Sequence, residues 1–184
     1  MALKPTIYKF KIALSDLNHD HYTSLNLTVA LHPSETLERM MARVLAYCLH
    51  AYNDTEQLMS FTKGLSSVDE PDIWLRSLDD QLQLWIDVGE PAFERMKKAC
   101  RQSKQTFVYS FNAKSDVWWK QGMSQLQTLP IDIMQFKYAE IQGLAALVER
   151  TMDWSLTLSG ESAFVATAKT QVELSWQTLY SASH

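Results

Sequence analysis

Two aspartates set the chemistry this sequence can attempt. Asp72 follows Pro71 and leads into the apolar run Ile73-Trp74-Leu75, while Asp87 stands near the end of the strand-like run Leu82–Val88. Gly89-Glu90-Pro91 then breaks that strand and opens an amphipathic helix. Two carboxylates offered by successive strands, with a helix start directly beyond, form an arrangement that can hold a divalent cation. Mg²⁺ or Mn²⁺ would suit it, because hard ions take oxygen ligands on a rigid support. The competing reading is ordinary: aspartates are also common strand-end and turn residues, because their side chains bond nearby backbone.

The surrounding elements follow from hydrophobic period. Residues 6–14 alternate, with Tyr8, Phe10, Ile12 and Leu14 on one face, and Leu25, Leu27, Val29 and Leu31 repeat the pattern. That predicts an antiparallel hairpin with its turn over 15–20. The His19-x-His21 pair near this turn reads as a polar loop. Pro33-Ser34 predicts a helix start, with Ser34 as N-cap and Glu35 and Glu38 near the positive end of the dipole. Leu37, Met40, Met41, Val44, Leu45 and Cys48 form the apolar stripe of this 35–52 helix.

A short strand is expected over 58–61. Leu82–Val88 is largely apolar on both faces, as in a central strand covered on both sides. Pro91 suits the first position of a helix whose buried stripe is Phe93, Met96 and Cys100. Residues 105–111 form the next strand, and the return from Val88 is long enough for a parallel crossover. Ser115 reads as the cap of a helix carrying Trp118 and Trp119, and 131–136 as a strand. Residues 138–150 read as a helix, with alternating runs at 152–158, 163–167 and 172–176. The pattern predicts one α/β domain over residues 1–184: a mixed sheet flanked by helices, with extra antiparallel strands from both termini.

Composition narrows the partners. The chain has 184 residues, 46% hydrophobic and 21% charged, which is ordinary for a globular domain. A net charge of −4 argues against a nonspecific nucleic-acid coat without excluding a local basic groove. Cys48 and Cys100 read as buried thiols in a reducing compartment. The first residues alternate instead of forming a leader, and no stretch has the ~20 apolar residues of a membrane span, so a cytoplasmic location is expected.

The central stretch resembles the signature of the YaeQ family, through Gly64…Pro71-Asp72-Ile73-Trp74 and Trp85-Ile86-Asp87-Val88-Gly89-Glu90-Pro91. The similarity extends to the opening hairpin, the Ser34–Tyr52 helix and the length. This bacterial family resembles the restriction-endonuclease-like, PD-(D/E)XK nuclease fold, whose core is a helix, three strands, a helix and a strand. The resemblance implies that Asp72 and Asp87 are the two motif acids and that Glu38 is a further metal ligand. The Lys expected two residues after Asp87 is Gly89 here. Lys97, on the following helix, is the candidate to replace it.

Two readings of function stay open. In the first, a metal-dependent phosphodiesterase acts on nucleic acid. Asp72, Asp87 and Glu38 hold Mg²⁺ or Mn²⁺, Lys97 assists, and Lys63, Lys98, Arg101 and Lys104 contact phosphates. In the second, a nuclease-like fold without catalysis binds protein or nucleic acid, a role that six Trp would suit.

Overall fold

The computed structural model describes residues 3–182. Its first strands, β1 (Thr6–Asp16) and β2 (His21–Leu31), form the expected hairpin in unbroken register, from Thr6 opposite Leu31 to Asp16 opposite His21. The hairpin turn is tighter than the sequence suggests. The Asp16 carboxylate accepts the Asn18 N–H at 3.0 Å and pairs with His19 Nδ1 at 2.7 Å. His19 also stacks on Tyr52 at 3.5 Å between ring centroids, so this loop is docked onto the body of the protein.

Helix α1 (Leu37–His50) follows. Its N-cap is Thr36, whose hydroxyl accepts the Arg39 N–H, and not Ser34. The Ser34 hydroxyl is engaged with His32 Nδ1 and lies two residues too early to reach the first turn. Then come β3 (Met59–Phe61), β4 (Ile73–Arg76), β5 (Leu82–Val88), α2 (Phe93–Gln102), β6 (Gln105–Ser110) and α3 (Ser115–Leu126). The chain finishes with β7 (Asp132–Phe136), α4 (Tyr138–Ala145), β8 (Thr151–Ser159), β9 (Ser162–Ala166) and β10 (Gln171–Ser181).

All ten strands join one mixed sheet in the order β2-β1-β8-β9-β10-β7-β6-β5-β4-β3. β5, β6 and β7 run parallel at its centre, as expected for Leu82–Val88 and the strand after it. The strands from the two ends of the chain extend the sheet together: β1 pairs parallel with β8, and β10 pairs antiparallel with β7.

Helices cover both faces. Leu84, Ile86 and Val88 of β5 join the larger core with α1 and α4, while Trp85 joins a second core with Met96, Ala99, Val108 and Ile133 under α2 and α3. This alternation is why β5 reads as apolar throughout. Leu45 is buried, as the helical stripe requires. Cys48 is fully buried and its thiol is pushed up to about 12 by that burial, whereas Cys100 is only half-buried.

Three sequence expectations need correction. Pro91 precedes α2 by two residues; Ala92 is the N-cap, and the Pro91 carbonyl accepts the Trp118 indole N–H instead. Met96 and Ala99 form the buried stripe of α2, with Phe93 and Cys100 at its borders. Ser115 is the first residue of α3 and not its cap, because its hydroxyl donates to Glu90 Oε1 at 2.6 Å. Among the described residues no helix is long and apolar enough to cross a membrane.

Candidate functional site

Asp72 and Asp87 line one cleft of about 360 Å³, together with Arg39, Gly64, Gly89 and Arg95. The local fold fixes both acids. Asp72 precedes β4, where its N–H donates to the Ile86 carbonyl at 3.1 Å and its Oδ2 accepts the Val88 N–H at 2.8 Å. Asp87 sits one residue before the end of β5, and its side chain is almost fully buried. Gly89 follows with φ at +121°, a backbone conformation that only glycine adopts without strain. A lysine two residues after Asp87 would therefore be strained by the backbone geometry. Gly64 faces Asp72 from the opposite loop, so close that an added Cβ would lie 3.5 Å from Asp72 Oδ1.

The cations at these acids are arginines. Arg95 Nε donates to Asp87 Oδ2 at 2.6 Å and Arg95 Nη2 to Asp87 Oδ1 at 3.0 Å, a bidentate pair. Its remaining donors reach the Val68 and Glu70 carbonyls at 2.6 and 2.7 Å, tying the preceding loop across the cleft. Arg39 Nη2 donates to Asp72 Oδ1 at 2.7 Å, and Arg39 Nη1 to Glu35 Oε2 at 2.6 Å. Arg43 completes the row by donating from Nη2 to Glu35 Oε1 at 2.6 Å. The charges form two groups: the run Arg43–Glu35–Arg39–Asp72 and the pair Arg95–Asp87.

Charge and burial act against each other here. Burial raises the Asp87 carboxyl above its ordinary value and the charge of Asp72 adds to the rise, while Arg95 opposes it. The like-charge coupling expected of a convergent pair is thus present, although burial is the larger cause. Arg39 stays raised despite burial, because Asp72 and Glu35 hold its proton; Arg95 is raised chiefly by its bond to Asp87.

Glu38 and Lys97 lie elsewhere. Glu38 is half-buried on α1 and does not line the cleft; the nearby acid that bonds Arg39 is Glu35, which precedes the α1 N-cap. Lys97 lies over the Phe93 ring at 5.8 Å and also stays outside the cleft. Two residues along a helix is a rotation of ~200°, so Arg95 facing β5 places Lys97 on the far side. The other expected phosphate contacts are dispersed: Lys98 pairs with Asp69, Lys63 lines a different cavity, and Arg101 and Lys104 line a third.

The donor set does not fit Mg²⁺ or Mn²⁺ as it stands. Every carboxylate oxygen of Asp72 and Asp87 already accepts a hydrogen bond from a guanidinium or a backbone N–H. Glu90, the next acid in the cleft, accepts from the N–H groups of Phe111 and Asn112, the Asn112 amide and the Ser115 hydroxyl. Among the described residues, no three His, Cys, Asp or Glu side chains are grouped to hold a metal ion.

Fold and site together define a mixed-sheet α/β protein whose central parallel strands carry an acidic cleft neutralised by arginines. The family model described as YaeQ protein matches residues 1–176, and the chain belongs to the YaeQ family. It is 35% identical to a Salmonella typhi protein described as "Uncharacterized protein YaeQ", over 96% of this chain and 98% of that one. The Escherichia coli (strain K12) protein of the same description is 34% identical with the same coverage. The crystal structure of YaeQ protein from Pseudomonas syringae matches with a TM-score of 0.88 at 33% identity, covering 96% of both chains. That from Xanthomonas axonopodis pv. citri matches with a TM-score of 0.87 at 29% identity, covering 96% of this chain and 99% of that one.

Proposed function

We propose that this protein is a protein-binding module built on a nuclease-like core, and not a hydrolase. The element order α1-β3-β4-β5-α2-β6, a helix, three strands, a helix and a strand, supports the nuclease-like part of this reading. The observation that carries the reading is the bidentate Arg95–Asp87 pair beside Arg39–Asp72. Carboxylates so neutralised have little charge left to draw a dication, and freeing one would leave a buried guanidinium uncompensated. A protein partner fits better than nucleic acid, because the net charge is −4 and the arginines of the cleft are already paired.

A second reading, a Mg²⁺- or Mn²⁺-dependent phosphodiesterase using Asp72, Asp87, Glu38 and Lys97, draws support from one fact: Asp72 and Asp87 share a single cleft. Titration calorimetry with MnCl₂ and MgCl₂, with cleavage assays on single- and double-stranded DNA and RNA, separates the two. The wild type is expected to cleave nothing and to show no saturable binding below ~1 mM. Arg95→Ala, which frees Asp87, is expected to gain Mn²⁺ affinity. Metal-dependent cleavage by the wild type that Asp87→Asn abolishes would overturn the binding-module reading, and Lys97→Ala would then test the lysine.

A further inference from the structure

The cover that α2 and α3 give the sheet stops at β10. Among the described residues, the core beneath those two helices takes Leu179 and Tyr180 from β10 and nothing from β1, β2, β8 or β9. Those four strands, with residues 171–175 of β10, turn Phe10, Ile12, Val29, Trp154 and Val165 inward to the core shared with α1 and α4. Their other face is bare. It carries three large apolar side chains, Ile7, Tyr22 and Phe164, the last two 60% and 45% exposed. The outer face of a one-sided sheet is ordinarily polar, so three such side chains on one face mark it as a contact surface.

Strand register places these side chains. Tyr22, Ser15, Thr157, Phe164 and Glu173 form one row straight across β2, β1, β8, β9 and β10. Ser24, Ala13, Ser155, Ala166 and Gln171 form the next row. Two aromatic knobs thus stand three strand spacings apart, ~14 Å, above a floor of hydroxyls and methyls. Between them the small side chains of Ser15 and Thr157 leave a hollow.

The charges on this face cancel. Lys9 and Lys11 on β1 are matched by Asp153 on β8 and Glu173 on β10, and Lys11 stands directly opposite Asp153. A nucleic acid or a strongly charged peptide gains little from such a surface, whereas a second copy of it meets no net like-charge repulsion. The size agrees. β1 and β2 have 11 residues each and β8 has 9, while β9 and the paired part of β10 have 5 each. At ~3.3 Å per residue and ~4.8 Å per strand they span roughly 600 Å² in plan. Side-chain relief raises the accessible area toward the ~800 Å² that each partner of a stable interface buries.

We infer that this bare face pairs two copies of the chain, sheet against sheet, about a two-fold axis that runs along β8. Such an axis lays β9 of each copy across β1 of the other, so Phe164 of each enters the hollow at Ser15 of the other. Ser155, on β8, meets Ser155 of the second copy. The ~30° crossing of packed sheets displaces the strands next to the axis by only ~2–3 Å, which leaves both contacts in place. The pairing goes beyond the binding-module reading and does not depend on it, because the Asp72–Asp87 cleft lies at β4 and β5.

Sedimentation velocity of the full chain over ~1–100 μM tests it, and a monomer–dimer equilibrium is expected in that range. Phe164→Asp and Ala13→Arg change exposed side chains, so the fold should stand while each weakens dimerisation at least tenfold. Val117→Asp, at an exposed apolar position on α3, should leave it within about twofold of wild type. In a Cys100→Ser background, Ser155→Cys should let a bismaleimide about 10 Å long, the spacing of packed sheets, join two copies. Val117→Cys in the same background should not. A monomer throughout the range would overturn the inference. So would a dimer that Phe164→Asp and Ala13→Arg leave unchanged, or cross-linking by Val117→Cys and not by Ser155→Cys.

Discussion

Arg39 bonds Glu35, Asp72 and the Val88 carbonyl at once. Removing one partner of a buried ion pair costs more than the pair contributes, because the remaining charges stay in a poorly solvated place. Arg39→Ala is therefore expected to lower stability by ~3–5 kcal/mol, read from urea midpoints, and adding Asp72→Asn should recover part of the loss. Lys97→Ala, outside the network, should stay within ~0.5 kcal/mol of wild type. Equal losses in the two variants would show that the arginine network is not what holds the cleft. Asp72 and Asp87 were legible in the sequence because strand context singled them out. Their partners were not, since Arg95 is eight residues from Asp87 and Arg39 is thirty-three from Asp72. A partial signal existed in the four-residue spacing of Glu35, Arg39 and Arg43. Glu38 was singled out by the family resemblance, whereas Glu35 lies before the N-cap, where the chain turns its carboxylate inward.

The element that organises the larger core is α1, whose residues Met40 through Cys48 are all buried. Leu45 lies in that run with 2% exposure, so Leu45→Ala combines lost transfer energy with a cavity. A loss of ~2–5 kcal/mol in a denaturant titration is expected, and a near-neutral midpoint would show that the helix relaxes around the gap. Elements of this kind were readable because burial writes a local period: 3.6 for α1, 2 for the opening hairpin, and a continuous apolar run for β5. Sheet order was not readable beyond neighbours in sequence. The parallel pairing of β1 with β8 joins residues about 140 positions apart, and no local pattern encodes which edge meets which. Helix ends were misplaced by one to five residues for a similar reason. Thr36 and Ser34 are equally good caps by type, and only the hydrogen bonds made in the fold decide between them.

The whole molecule is closed around a buried polar contact that ties the end of α1 to the centre of the sheet. His50 Nε2 bonds the Tyr109 hydroxyl of β6 at 2.7 Å, and the ring packs against Phe107. Burial, with a smaller contribution from the charge of His19, lowers the His50 pKa to about 3. An unfolded histidine titrates near ~6.5, so below that pH the unfolded chain binds a proton that the folded chain refuses. The stability present above pH ~6.5 is then lost as pH falls toward 3, at a rate approaching ~1.4 kcal/mol per pH unit. Asp87 acts in the opposite sense. Its raised carboxyl favours the folded state below its unfolded value and gives that advantage up as pH rises through the folded one. The Asp87 term offsets part of the His50 loss wherever the two windows overlap, but it is common to variant and wild type, so their difference isolates His50. His50→Gln cannot titrate and has an amide that can reach Tyr109. It should be less stable than wild type at pH 7.5, yet lose less stability between pH 6.5 and 5 in parallel urea titrations. Profiles of equal slope for variant and wild type would mean that His50 already carries its proton in the folded protein.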